Sequence, residues 1–252
     1  MPDDQRYSEL DALRGLAVIS MIVFHLCFDL AFFYGMDIPV HSKLFTLWAR
    51  GTAMMFLIVM GVCFVISWSR RAAFPQHDTV FHRYIPFLRR GLLILGGGMM
   101  ISFVTYLIAP GAYVKFGILH LIGVSALIQP LFVRFKFWNV LIGAAWSIAG
   151  LKIVALQSSS TLLFPFGILY PGFFSLDYYP LFPWFGFVLT GMGIGSMLYA
   201  PREKFLERLD ALPYPHMLLW MGKQALPLYF FHQPILFVIL LMLLGSPLSP
   251  NL

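Results

Sequence analysis

Seven apolar stretches, each long enough to cross a bilayer as a helix, fall at about 12–34, 44–67, 87–108, 116–133, 137–156, 180–199 and 224–245 of the 252-residue chain. Hydrocarbon offers no water to a backbone N–H or C=O, so a spanning segment must be a helix or part of a closed barrel. The short alternating segments of a barrel are absent. The reading is an all-α integral membrane protein, a polytopic bundle of about seven transmembrane helices forming one domain over 1–252. Composition points the same way. Charged residues make up only 11%, against 60% hydrophobic ones, which rules out a soluble globular enzyme. Aromatics at 17% exclude a disordered chain.

The net charge of +6 does not indicate nucleic acid, because the aromatics lie inside the apolar runs and do not interleave with the basic residues. Lys and Arg gather on cytoplasmic loops for topological reasons. With the N-terminus cytoplasmic, thirteen of the 17 Lys and Arg fall on that side, which sets the C-terminus outside and demands an odd helix count. Spans four and five are separated only by Arg134-Phe135-Lys136-Phe137, a tight hairpin. The connection 157–179 lies outside, and its length and apolar character suit a lid or re-entrant segment. The loop 201–215 reads as a short amphipathic cytoplasmic helix. Cys27 and Cys63 fall within spans and read as packed thiols. The acidic N-terminus (Asp3, Asp4, Glu9, Asp11) does not read as a removable signal peptide.

An ionisable group at membrane depth is costly and marks a functional site by default. The first span carries three: Arg14 near its cytoplasmic entry, His25 near its middle and Asp29 one turn on. Eleven residues separate Arg14 from His25, which puts them within about 20° of one helix face and roughly 16 Å apart along it. Asp29 is four residues past His25, close enough to take its imidazole N–H and orient it as a general base. The alternative is a buried polar cluster that locks helix packing. His41 in the next loop, His120 in span four, Asp177 before span six, and His232 with Gln233 in span seven are weaker candidates for lining a substrate site. No histidine pair lies at the close helical spacing of metal ligands, so no metal is expected.

The arginine-to-histidine spacing from Arg14 to His25 resembles the signature on the first span of an integral-membrane acyltransferase superfamily. Four strings narrow the resemblance: Leu-Asp-Ala-Leu-Arg-Gly-Leu-Ala-Val at 10–18, Phe-Gly-Ile-Leu-His-Leu-Ile-Gly-Val at 116–124, Asp-Tyr-Tyr-Pro-Leu-Phe-Pro-Trp-Phe-Gly at 177–186, and Gly-Lys-Gln-Ala-Leu-Pro-Leu-Tyr-Phe-Phe-His-Gln-Pro at 222–234. Together they resemble the prokaryotic relatives of heparan-alpha-glucosaminide N-acetyltransferase, over most of the chain from Leu10 to about Leu240.

The resemblance implies acyl transfer across a membrane, from cytosolic acetyl-CoA to an amine or hydroxyl of a sugar-like acceptor on the opposite face. It places His25 where the lysosomal enzyme has an acting asparagine, and His41 at its loop histidine. The expected catalytic residues are His25, His41 and Asp29. By charge and position, Arg14 is expected to hold the donor's phosphates, helped by Arg83, Arg89 and Arg90, for which the alternative is ordinary topological charge; His120, Asp177, His232 and Gln233 are expected to line the acceptor site. The partners are acyl-CoA, a glycan-like acceptor and membrane lipid, with a homo-oligomer allowed and nucleic acid excluded. The expected location is a prokaryotic cell membrane. From a different class, a proton-coupled solute transporter would use His25, Asp29 and His232 as a relay, and a non-catalytic scaffold would need none of that face. Lack of an internal repeat weighs against the transporter.

Overall fold

Long apolar runs with few helix breakers become helices as soon as water is withdrawn, and among the described residues they give six helices long and apolar enough to span a membrane. The computed structural model describes residues 7–73, 79–199, 209 and 212–246. In chain order the helices are α1 (Ser8–Tyr34), α2 (Lys43–Ala72), α3 (Val80–Ile108), α4 (Ile118–Ile128), α5 (Asn139–Ile153), α6 (Leu181–Leu198), α7 (His216–Lys223) and α8 (Ala225–Leu244). Strands are absent among the described residues, and two isolated bridges are the β-type pairing they show. The protein is a polytopic helical membrane protein. The expected helix within 201–215 lies almost wholly outside the described residues.

The fourth apolar segment is compound. Ile118–Ile153 counts as one 36-residue span by length and composition. Yet Lys136, within the 3₁₀ stretch Gln129–Trp138, takes φ 47° and ψ −125°, which no helix accommodates. The legs either side fold back on each other. Phe132 and Trp146 both place their rings 5.5 Å from that of Phe185, whereas fourteen residues of unbroken helix would separate them by about 21 Å. Asn139 ties the turn by donating its side-chain amide to Phe132 O at 3.0 Å. The hairpin expected at 134–137 is therefore present, and it turns the six counted spans into seven legs.

Two compact units divide the chain: Met1–Phe56 with Lys204–Leu252, and Leu57–Glu203. In the first unit α1 crosses α7 with their backbones touching. A Cβ on Gly15 would lie 2.1 Å from Leu218 O, and one on Gly222 would lie 1.8 Å from Asp11 O. Small residues allow such an approach, and without a hydrophobic drive between helices it supplies much of the attraction. α1 ends where Gly35 takes a left-handed φ of 67°. The first turns of α2 are pinned to α1 by polar contacts. Trp48 Nε1 donates to Ser20 Oγ at 2.8 Å, and Ser20 Oγ lies 2.6 Å from Thr52 Oγ1.

In the second unit α6 is the central element. Its glycines meet the later turns of α2 and the whole of α5: Cβ atoms at Gly191 and Gly186 would fall 2.1 Å from Ile58 O and 2.2 Å from Ser147 Oγ. The connection 154–180 is neither helix nor strand apart from a 3₁₀ turn at Phe164–Phe166. Residues 112–118 and 174–179 are zipped together by Leu176 N to Ala112 O, Tyr179 N to Phe116 O, and the parallel bridge Phe116–Tyr178.

Candidate active site

The four strings that carry the resemblance meet two by two. Residues 10–18 and 222–234 pack in the first unit, and 116–124 and 177–186 in the second. Each meeting holds its own set of the expected residues.

In the first unit the polar side chains of α1 face those of α8 in two rungs. On the first rung the rings of His25 and His232 stand 4.8 Å apart, edge to face at 71°. On the second, Gln233 Nε2 donates to both carboxylate oxygens of Asp29, at 2.7 and 2.9 Å. Asp29 is fully buried and His232 nearly so, while His25 is half-buried.

This corrects one expectation, that Asp29 takes the N–H of His25. The Met21 carbonyl lies 2.9 Å from His25 Nδ1, one turn back on the same helix face, and it fills that position first. Asp29 turns instead to the donor that α8 brings it. The ring geometry then settles the tautomers. A carbonyl oxygen only accepts, so His25 Nδ1 must donate to Met21 O and His232 Nδ1 to Tyr229 O at 2.7 Å. In the neutral form both rings therefore carry their lone pair on Nε2, the state a general base requires.

At the start of α1, Arg14 Nη1 donates to Asp11 Oδ1 at 2.6 Å, so part of its charge is already matched within the helix. Asp11 and Glu9 are buried in the first turn, where the helix dipole favours negative charge. His41 is exposed in the turn between α1 and α2, and the ring facing His25 is that of His232.

In the second unit Asp177 and His120 meet at Gly117. Asp177 Oδ2 accepts from Ile118 N at 3.0 Å, at the first residue of α4. Gly117 N donates to His120 Nδ1 at 3.2 Å, and the other nitrogen, Nε2, lies 3.2 Å from Ser102 Oγ. Both nitrogens of His120 are thus engaged in holding the N-terminus of α4, with the ring seated on Gly98, where a Cβ would come within 3.0 Å. Gly117 has no room for a side chain, because its Cβ would be 2.3 Å from Asp177 Oδ2. Arg89 and Arg90 are exposed on α3 and Arg83 is half-buried there. The sequence reading missed Lys115, whose ammonium sits 5.0 Å from the rings of both Tyr113 and Phe173 and donates to Phe174 O. Its signal was the density of aromatics in 164–179. Among the described residues no group of three His, Cys, Asp or Glu can hold a metal ion.

Burial raises the pKa of Asp177 from 3.8 to about 6, against the opposing bond from the Ile118 amide. The folded chain then binds this proton more tightly than the unfolded one. Its contribution to stability is full below about pH 4 and is lost as pH rises through about 6. Asp177→Asn keeps an acceptor for Ile118 N and cannot titrate. The melting temperature of the wild type is expected to fall relative to that of the variant between pH 4.5 and 7. A constant difference across that range would remove Asp177 as the cause.

The family model described as Heparan-alpha-glucosaminide N-acetyltransferase, catalytic, matches residues 6–234 and so runs through both units. The chain belongs to this family. Every residue of both rungs and both caps lies within the match. The heparan-alpha-glucosaminide N-acetyltransferase catalytic family is one of membrane acetyltransferases, and the spans seen here accord with that. Neither a curated protein nor a solved structure matches the chain.

Proposed function

We propose that the chain is a transmembrane acetyltransferase that moves the acetyl group of acetyl-CoA to an amine or hydroxyl of a sugar-like acceptor at the opposite membrane face. The observation that carries this reading is His25: a histidine at membrane depth, locked by Met21 O with its lone pair on Nε2. Nε2 takes the acceptor's proton as its nitrogen or oxygen bonds to the thioester carbonyl carbon. The C–S bond then breaks, and the departing CoA sulfur takes the proton back from Nε2. The ring ends as it began. Asp29 and Gln233 act by holding α8 against α1, which keeps His232 opposite His25. His41 remains the candidate on the acceptor side. The family match across residues 6–234 supports one catalytic domain over the whole chain, the basic bias of the loops supports a cytoplasmic N-terminus, and a prokaryotic cell membrane is the location we propose.

The donor brings phosphates, and the residues present suit them. Exposed guanidiniums on α3 bind phosphate through paired, charge-assisted hydrogen bonds. Each such bond is worth about 1.5–3 kcal/mol, so Arg89→Ala and Arg90→Ala are each expected to weaken acetyl-CoA binding about 10–100-fold by calorimetry. Arg14→Ala should cost less, because Asp11 already engages that side chain. Equal binding by all these variants would place the donor elsewhere.

The deciding experiment is acetyl transfer by the purified chain in proteoliposomes, with acetyl-CoA on one side and glucosamine or glucose on the other. Acetylated sugar formed by the wild type supports the reading. A folded wild type that transfers to neither sugar and binds no acyl-CoA overturns it in favour of a transporter.

A further inference from the structure

The two rungs between α1 and α8 present two buried hydrogen-bond acceptors without a partner among the described residues. The amide nitrogen of Gln233 lies on the Asp29 carboxylate, so its Oε1 is turned away, buried and without a partner among the described residues. His232 Nε2 is likewise buried and unpartnered, and the Tyr229 carbonyl fixes it as a bare lone pair. A neutral buried acceptor left unpaired is costly, and two of them side by side in sequence call for a ligand that supplies donors. His232 is 8% exposed and sits ring to ring with the residue read above as the base.

We propose that His232 is a second catalytic base, taking one proton from the incoming nucleophile while His25 takes another. This rests on the acyl-transfer reading. The arrangement suits a nucleophile that arrives as an ammonium, whose nitrogen must shed two protons before it is an amide. His232 Nε2 removes the first and frees the lone pair. The nitrogen bonds to the carbonyl carbon, and His25 Nε2 removes the second proton. The C–S bond breaks, the CoA sulfur takes the proton from His25, and the proton on His232 leaves to water. The sum is ammonium plus acetyl-CoA giving amide, CoA thiol and one free proton. A hydroxyl nucleophile has a single proton to lose and needs His25 alone.

The test uses His232→Gln in the full chain, which fills a similar volume and cannot hold a proton at neutral pH. With glucosamine as the probe, kcat is expected to fall roughly 10²–10⁴-fold, the usual range for one general base, while acetyl-CoA binding stays at the wild-type level. With ¹⁵N-histidine labelling of the wild type, the His232 signal, assigned through its cross-peaks to the neighbouring His25 and Tyr229, is expected in the Nδ1–H form. Unchanged kcat in His232→Gln, in a chain where His25→Ala abolishes transfer, overturns this inference and leaves the acyltransferase intact. A His232 resonance in the Nε2–H form overturns it even if the variant fails to fold. Transfer to neither sugar by the wild type removes the reading beneath it.

Discussion

His25→Ala is expected to lower acetyl transfer roughly 10²–10⁴-fold while leaving the chain folded and able to bind acetyl-CoA. The side chain is half-buried and its one hydrogen bond is to a carbonyl of its own helix, so removing it costs the ring contact with His232 but breaks no hydrogen bond between helices. What is lost is the Nε2 lone pair. Kinetics and calorimetry on the same preparation separate the two effects. A fall in kcat with donor affinity retained is the signature of a base, whereas a parallel loss of both would make His25 a packing residue.

The second large effect is expected at a residue with no side chain. In Gly222→Val the new Cβ would sit 1.8 Å from the backbone oxygen of Asp11, and the obstacle is main chain, which cannot swing aside as a side chain does. Forcing extra carbon into a filled space typically costs about 1–3 kcal/mol, and more where backbone must shift. Against a total stability of about 5–15 kcal/mol, valine there should sharply reduce the yield of folded protein and lower its melting temperature. Gly51→Ala is the control. Nothing lies within 4 Å of a Cβ at Gly51, and it stands inside α2, so alanine should leave stability unchanged or raise it by about 0.5–1 kcal/mol. Equal behaviour of the two variants would mean that α1 and α7 do not meet as described.

The spans could be read in the sequence because hydropathy is a local property. α6 and α8 start and stop within one residue of the expected bounds. α3 begins at Val80, seven residues before its apolar run, since Thr79 caps it and a helix need not end where lipid does. α7 escaped notice because eight residues are too few to show a periodic face. The site was harder. His25 and Asp29 stood out by being ionisable among apolar neighbours. Their partners depend on α8 returning to α1 across 204 residues, which no local pattern encodes. His120 stood out as a candidate for lining a substrate site, and three residues before it stands the glycine that opens α4, the spacing by which a side chain caps its own helix.

The break at Lys136 has a consequence for how the chain enters a bilayer. Residues 118–135 and 137–153 are about 30 and 26 Å long, counting the 3₁₀ turns at about 2.0 Å per residue, and are joined through a single residue. No aqueous loop separates them, so one leg cannot settle in lipid while the other waits outside. Dragging Arg134 or Lys136 through the bilayer centre costs about 2.5–3.5 kcal/mol per charge on the insertion scale, which holds the tip at one face of the bilayer. The two legs must then leave the insertion machinery together, as a preformed hairpin, and the timing of that release is set by the slower of them.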